Sequence, residues 1–295
     1  MERVQNAILQ PVPAVAQFIN YQLCGYDHAA IRATLNRLAE FADGEHIVVG
    51  LGHTLFATLD KSLPGLSELP VYSGPKVVIP STPAALWVWL RSEEPGTLLH
   101  HRRALDSLLR PLFEPDLSVD AYTYREGRDL TGYLDGTENP SGDRAREVAL
   151  IDSSDPALHG SSFVAVQQWL HRLDIFEAMS PQQQDETIGR RISDNEEIEE
   201  APASAHVKRT AQESFAPEAF ILRRSMPWST QHRAGLVFVA FGHSLDAYQS
   251  LLRQMSGQND GIVDALFSFS RPISGNFFWC PPLVDGGLNL RALGL

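Results

Sequence analysis

The sequence predicts an α+β fold made of two related halves. Apolar strand-like runs alternate with stretches of helical spacing along the whole chain. In addition, Ile47-Val-Val-Gly-Leu-Gly-His-Thr-Leu55 lines up with Val237-Phe-Val-Ala-Phe-Gly-His-Ser-Leu245. Each segment is an apolar run entering Gly-His, a hydroxyl residue and Leu, and the two lie in different parts of the chain. A duplicated α+β unit is the simplest account of both observations. The join is expected near residues 142–160, which gives halves at 1–150 and 151–295.

The elements follow in order. Ile31, Leu35, Leu38 and Phe41 have helical spacing and predict a helix over His28–Phe41. Lys76-Val-Val-Ile-Pro80 reads as a short strand stopped by proline. Ser81-Thr-Pro-Ala-Ala-Leu86 reads as a helix start, with Ser81 or Thr82 as cap and Pro83 near the first turn. Leu86, Val88, Trp89 and Leu90 would then be its apolar residues. A second helical stretch is expected over Arg102–Leu112 and a strand over Asp120–Tyr124. In the second half, Ser161–His171 reads as a strand. Ser180-Pro181 caps a helix running to about Gly189. Asp194–Glu200 is dense in acid and reads as a solvated surface segment. Leu245–Met255 reads as a helix, and Phe267-Ser-Phe-Ser270 with Asn276–Pro282 as the closing strand region.

Composition narrows the class. The 295 residues are 43% hydrophobic and 20% charged, the balance of a globular chain with a core of good size. The formal charge is −12, from 24 basic and 36 acidic residues. Such a surface repels nucleic acid and anionic membranes, so neither is expected as a partner. No apolar run is long enough to span a bilayer, and the first residues lack the apolar stretch of a secretory signal. A cytoplasmic protein is expected. Cys24 and Cys280 are too far apart in sequence to form a CxxC metal motif, and are expected as single buried thiols. No HExxH or paired Cys/His spacing occurs, so zinc is not expected.

Three segments carry candidate chemistry. In Gly132-Tyr-Leu-Asp-Gly-Thr-Glu-Asn-Pro140, glycines flank Asp135, a short carboxylate that a turn can aim with little rotamer freedom. The same spacing also suits an ordinary Asp-Gly turn ended by proline. His206 lies in Ala201-Pro-Ala-Ser-Ala-His-Val-Lys-Arg-Thr210, read as irregular chain leading into a short extended segment. It is either a loop histidine or, if a carboxylate holds its other nitrogen, a good iron ligand. In Phe220-Ile-Leu-Arg-Arg-Ser-Met-Pro-Trp228, strand alternation makes Arg223 and Arg224 diverge. Both are surface charges, or one points into a cavity to stabilise negative charge.

GYLDGTENP, SAHVKRT and ILRRSMPW, occurring together in this order, resemble the dye-decolourising peroxidases, haem enzymes that reduce hydrogen peroxide. The compact length and the MPW after the arginines are similar to the bacterial B-type branch. Val78-Ile-Pro-Ser-Thr-Pro83 and Pro272-Ile-Ser-Gly-Asn-Phe-Phe278 extend the resemblance over nearly the whole chain. It implies two ferredoxin-like halves, a duplicated α+β barrel-like fold with antiparallel sheets, and haem b held mainly by the C-terminal half. It implies His206 as the axial ligand of the haem iron and Asp264, in Gly261-Ile-Val-Asp-Ala-Leu-Phe267, as the acid bonded to that histidine. Arg190 would lie near a haem propionate, with Arg191 as rival. Asp135 and Arg223 would be catalytic over the distal face. Gly136, Thr137, Glu138 and Ser225 would border the cofactor. Ser225 stands where some relatives have Asn, which puts its part in peroxide activation in question.

The resemblance further implies turnover of hydrogen peroxide through a ferryl state, with dyes, phenolics or other aromatic one-electron donors as reductants. Bulky donors would be oxidised through surface Tyr or Trp residues. A homo-oligomer is implied, and packaging in a protein nanocompartment is known for some members with longer tails. A haem-processing enzyme of deferrochelatase type and a non-catalytic haem carrier are the alternatives. A carrier has little need of Asp135 with Arg223.

Overall fold

Eight strands close a barrel in the computed structural model, which describes residues 3–75 and 77–295. They are β1 (Val15–Leu23), β2 (Ile47–Gly52), β3 (Leu86–Ser92), β4 (Phe113–Tyr122), β5 (Ser162–His171), β6 (Met226–Ser229), β7 (Ala234–Gly242) and β8 (Asn276–Cys280). The first four pair antiparallel in the order β2-β3-β1-β4, and the last four in the order β6-β7-β5-β8. The same order in both sets is a ferredoxin-like pattern repeated once. Two thin seams join them: Ala121 to Trp228 between β4 and β6, and Leu51–Gly52 to Phe278–Trp279 between β2 and β8.

Eight α-helices accompany the strands among the described residues: α1 (His28–Phe41), α2 (His53–Thr58), α3 (Pro95–Leu109), α4 (Gly142–Ala149), α5 (Leu173–Glu177), α6 (Pro181–Ile188), α7 (His206–Arg209) and α8 (Asp246–Met255). The Asp27 carboxylate caps α1 by accepting from the amides of Ala29 and Ala30. Ser180 and Gln183 form a capping box on α6, which ends at Gly189 in the left-handed region.

Strand alternation separates two apolar layers. Inside the barrel, Phe18, Trp87, Trp89, Phe241, Phe278 and Cys280 pack with Val164, Val237 and Val239. Phe18 stacks on both Trp87 and Trp89, and Trp87 stacks on Phe278. The interior is therefore a filled core and not a channel. Gly50 allows this packing, because a Cβ there would lie 2.8 Å from Phe278 Cβ and 3.1 Å from the Trp87 ring. Outside, α1 and α3 cover Ile19, Tyr21, Val49, Leu51, Val88 and Leu90 on the first set of strands. The second set has α8 in one slot. Its other slot is filled by α5, α6, α7 and long connections, and this covers the sheet incompletely.

Several sequence expectations change. Ser81–Ala84 starts no helix, and Leu86–Ser92 is strand β3, buried on both faces. A strand with two buried faces has no alternation, so a short apolar run cannot be told from a buried helix by period. The helix expected over Arg102–Leu112 starts earlier, at Pro95, and ends at Leu109. Only Val78–Ile79 of the segment 76–80 is strand, and Lys76 lies outside the described residues. The two Gly-His segments are not equivalent within the repeat. The first forms the second strand of its set and the second forms the third strand of its set. Cys280 is buried as expected, with burial pushing its thiol pKa up, but Cys24 is exposed.

Candidate active site

The incompletely covered slot leaves a cavity of about 280 Å³ on the outer face of the second set of strands. Gln167, Trp169 and His171 of β5 and Leu236 and Phe238 of β7 form its floor, one face of alternating strands. Tyr248, Leu251, Leu252 and Met255 of α8 close one side. Asp135, Glu138, Arg190, His206 and Arg223 also line it.

His206 opens the one-turn helix α7, rather than leading into extended chain. Its Nδ1 donates to Asp264 Oδ2 at 2.7 Å. The Asp264 side chain is fully buried, and its other oxygen accepts from the Leu266 amide at 2.8 Å. A carboxylate fixed in this way holds the imidazole by Nδ1 and leaves Nε2 free, the arrangement of a metal-ligating histidine. Arg209 anchors the same turn. Its guanidinium makes two 2.8 Å bonds to the Asp260 carboxylate and donates to the Gln254 carbonyl at 2.6 Å. The bonds from Arg209 hold the Asp260 carboxyl below the usual carboxylate range. Nothing in the sequence singled out Arg209 or Asp260, because their pairing depends on how α7 meets the loop after α8.

On the opposite lip, the turn carrying Asp135 is locked from both sides. The Asp135 amide donates to the Gly127 carbonyl, and the Asn139 amide to the Gly136 carbonyl. Gly136 has φ +80°, and a Cβ there would lie 2.9 Å from Asn139 Nδ2. The Asn139 side chain grips the main chain of Arg223 twice. Its Oδ1 accepts from the Arg223 amide at 2.8 Å, and its Nδ2 donates to the Arg223 carbonyl at 3.0 Å. Asp135 and Arg223 thereby face each other, with Oδ1 and Nη1 3.6 Å apart. Arg224 lies outside this cavity, and its Nη2 donates to the Leu9 carbonyl at 2.9 Å. Of the two arginines only Arg223 lines it, while both line a smaller adjoining cavity.

The remaining expected residues divide. Arg190 lines the cavity, paired with Glu138 at 2.7 Å and Glu197 at 3.7 Å, while Arg191 is half-exposed and paired with Asp194. Of these two arginines only Arg190 is on the cavity wall. Gly136, Thr137 and Glu138 line the cavity, and Thr137 Oγ1 accepts from Asn195. Ser225 does not line it. It faces an adjoining cavity, and its Oγ accepts from the Val239 amide at 3.4 Å. The acidic segment 194–200 is solvated as expected, with all of its carboxylates exposed; Glu197 among them also reaches the cavity wall and holds both Arg190 and Lys208.

A second buried pair was missed. His171 Nε2 donates to Asp129 Oδ2 at 3.0 Å, and Nδ1 lies 2.6 Å from Ser270 Oγ. Both His171 and Asp129 line the cavity. Burial pushes the Asp129 carboxyl up, but bonds from His171 and Thr131 and the charge of His171 outweigh it and hold the group below the ordinary range. His171 ends a strand already read as structural, and Asp129 has no motif of its own. Only the tertiary fold joins them.

The donor set suits haem. One histidine has a free ring nitrogen beside apolar walls, and an arginine sits at a polar edge. Three buried polar atoms at the cavity, Arg223 Nε, Gln167 Nε2 and Tyr248 Oη, have no partner among the described residues.

Known proteins share this architecture. The family model for the C-terminal part of Dyp-type peroxidases matches residues 126–285. A dye-decolorizing peroxidase of Mycolicibacterium paratuberculosis is 31% identical over 70% of this chain, and the match spans 60% of that relative's length. A dye-decolorizing protein from V. cholerae superposes with a TM-score of 0.87 at 25% identity, covering 98% of both chains. A DypB variant from Rhodococcus jostii RHA1, solved in complex with heme, gives 0.82 at 26% identity over 93% of this chain and 95% of that one.

Proposed function

The chain belongs to the Dyp-type peroxidase family, and from that premise and the geometry of its cavity we propose that it is a haem b peroxidase using hydrogen peroxide to oxidise dyes, phenolics or other one-electron donors. The observation that carries this reading is the pairing of a carboxylate-held histidine with an Asp–Arg pair lining the same cavity. His206 Nε2 would hold the haem iron, and Arg190 would meet a carboxylate of the haem in place of Glu138 and Glu197. Gly136, Thr137 and Glu138 would border the ring. Haem, when bound, supplies the redox centre at which peroxide is reduced and donors are oxidised.

The chain's own residues supply the rest. Asp264 keeps the proton on His206 Nδ1 and makes the ligating nitrogen more basic. Asp135 takes a proton from one oxygen of hydrogen peroxide and delivers it to the other, directly or through a water. Arg223 stabilises the negative charge that develops as the O–O bond breaks. The Asp135–Arg223 pair favours this reading over a haem carrier, which needs no acid–base pair. Product analysis separates it from haem processing, since peroxidase turnover leaves the macrocycle intact.

We also place the boundary of the two halves near residue 150, between α4 and β5. A homo-oligomer in the cytoplasm remains part of the proposal on the sequence reading alone. No helix among the described residues is long and apolar enough to cross a membrane. The test is the absorption spectrum of purified protein loaded with haemin, before and after one equivalent of hydrogen peroxide. A Soret shift that a reducing dye reverses is expected. Haem binding with no response to peroxide would overturn the enzyme assignment, and no haem binding would overturn the site.

A further inference from the structure

A second cavity of about 210 Å³ adjoins the first and shares Asp135, Gly136, Arg223 and Leu236 with it. Arg128, Arg223 and Arg224 line it, with Asp135 as the single carboxylate. That balance runs opposite to the chain as a whole, with its formal charge of −12. Neither Arg128 nor Arg224 has a carboxylate within 4.0 Å among the described residues; both donate to main-chain carbonyls instead. The Nε atoms of Arg223 and Arg224 are buried and have no partner there. Burial, with Arg91 nearby, pushes the Arg224 pKa down to about 10. Arg128 and Arg224, cations without a carboxylate partner on the wall of one cavity, favour an anion there.

We propose that this cavity is a binding site for a small oxyanion, of the size of formate or another short carboxylate, held mainly by Arg224. A guanidinium fork matches a planar carboxylate, with two parallel N–H donors to two oxygens. A bound oxyanion competes with Asp135 for Arg223, so the site gives a small metabolite acid a direct hold on the distal pair. The volume excludes dyes and other bulky donors. The proposal does not depend on haem. The cavity is built from Pro11 and Val12, the chain just after β4, the Asp135 turn, β6 and its approach, and Leu236 of β7, and its wall lacks His206 and Arg190.

The test is calorimetric titration of the haem-loaded protein with sodium formate, with ionic strength held by the bulky buffer anion HEPES. The Soret band is recorded in parallel to detect any ligation at iron. One saturable site per chain with an unmoved Soret band is expected. Arg224→Gln is expected to weaken it at least tenfold. Val12→Trp, which adds bulk to the cavity lining and keeps every arginine, should weaken it as much, so a folding defect in the arginine variant does not decide the matter. Absence of saturable heat in the wild type, unchanged affinity in either variant, or a Soret shift that tracks the binding would each overturn the proposal. Were haemin not to bind at all, the same titration on the protein as purified would still decide it.

Discussion

At the scale of single residues, the cavity depends on carboxylates that are themselves held. Asp264 has both oxygens engaged, one by His206 and one by a main-chain amide. Asp264→Asn is therefore expected to lower haem affinity about 10- to 100-fold, the usual cost of losing the partner of a ligating histidine. Haem titration followed at the Soret band measures it, and an affinity within twofold of wild type would contradict the role. Asp135 and Arg223 are unequal partners. A water can relay a proton, but nothing mobile in the cavity replaces a fixed positive charge. The rate of reaction with hydrogen peroxide is expected to fall further in Arg223→Ala than in Asp135→Ala. Stopped-flow measurement of both variants checks this, and the reverse order would make proton transfer the larger contribution.

At the scale of elements, the placement of Asp135 against Arg223 is a property of one turn. Asn139 bonds twice to the Arg223 main chain across 84 residues of sequence. Asn139→Ala should destabilise the fold by about 1–3 kcal/mol, the cost of leaving part-buried amide groups unpaired, and should also slow the peroxide reaction by misplacing Arg223. Urea unfolding and stopped-flow kinetics measure the two effects separately, and loss of stability with an unchanged rate would leave Asn139 a purely structural residue. The elements were unequally legible in the sequence. α1 was readable from the spacing of Ile31, Leu35, Leu38 and Phe41, and α6 from its Ser180-Pro181 cap, because both signals are local. β3 was misread because Leu86, Val88, Trp89 and Leu90 are buried on both faces and carry no period. His206 was found through its motif and misplaced in its structure, since a single helical turn leaves too short a pattern to recognise. Asp129 with His171, and Arg209 with Asp260, were invisible for a different reason. Each pair is separated by more than 40 residues, and only the tertiary fold makes it a pair.

At the scale of the molecule, the duplicated sheet explains why the cavity lies where it does. The first set of strands has two long helices on its outer face, and the second has one helix and a set of short turns. The repeat read from the sequence was right in kind, although the segments that suggested it fill different slots. The cavity wall also links acid stability to the fold. The folded-state pKa of Asp129 is depressed, so its pair contributes stability that is present above the unfolded value, near ~3.9, and lost as pH falls through the folded value. Asp129→Asn should cost about 1–3 kcal/mol at neutral pH, since it replaces the carboxylate that holds the buried His171 ring by a weaker acceptor. The deficit should shrink as pH falls below about 4. Thermal or urea unfolding of both proteins across pH checks it, and a deficit independent of pH would remove the electrostatic explanation.

The barrel's two seams give its backbone an uneven grip. Within each set, neighbouring strands share long runs of pairs, nine of them between β5 and β7. Between the sets, β4 meets β6 only at Ala121 and Trp228, and Pro227 beside that point has no amide proton to give. In deuterated water the amides along β5 and β7 should exchange on the timescale of global unfolding, while those flanking the β4–β6 seam exchange through smaller openings. The isotope would then divide a continuous sheet into two cooperative units, and the line between them runs beside the arginine-lined cavity.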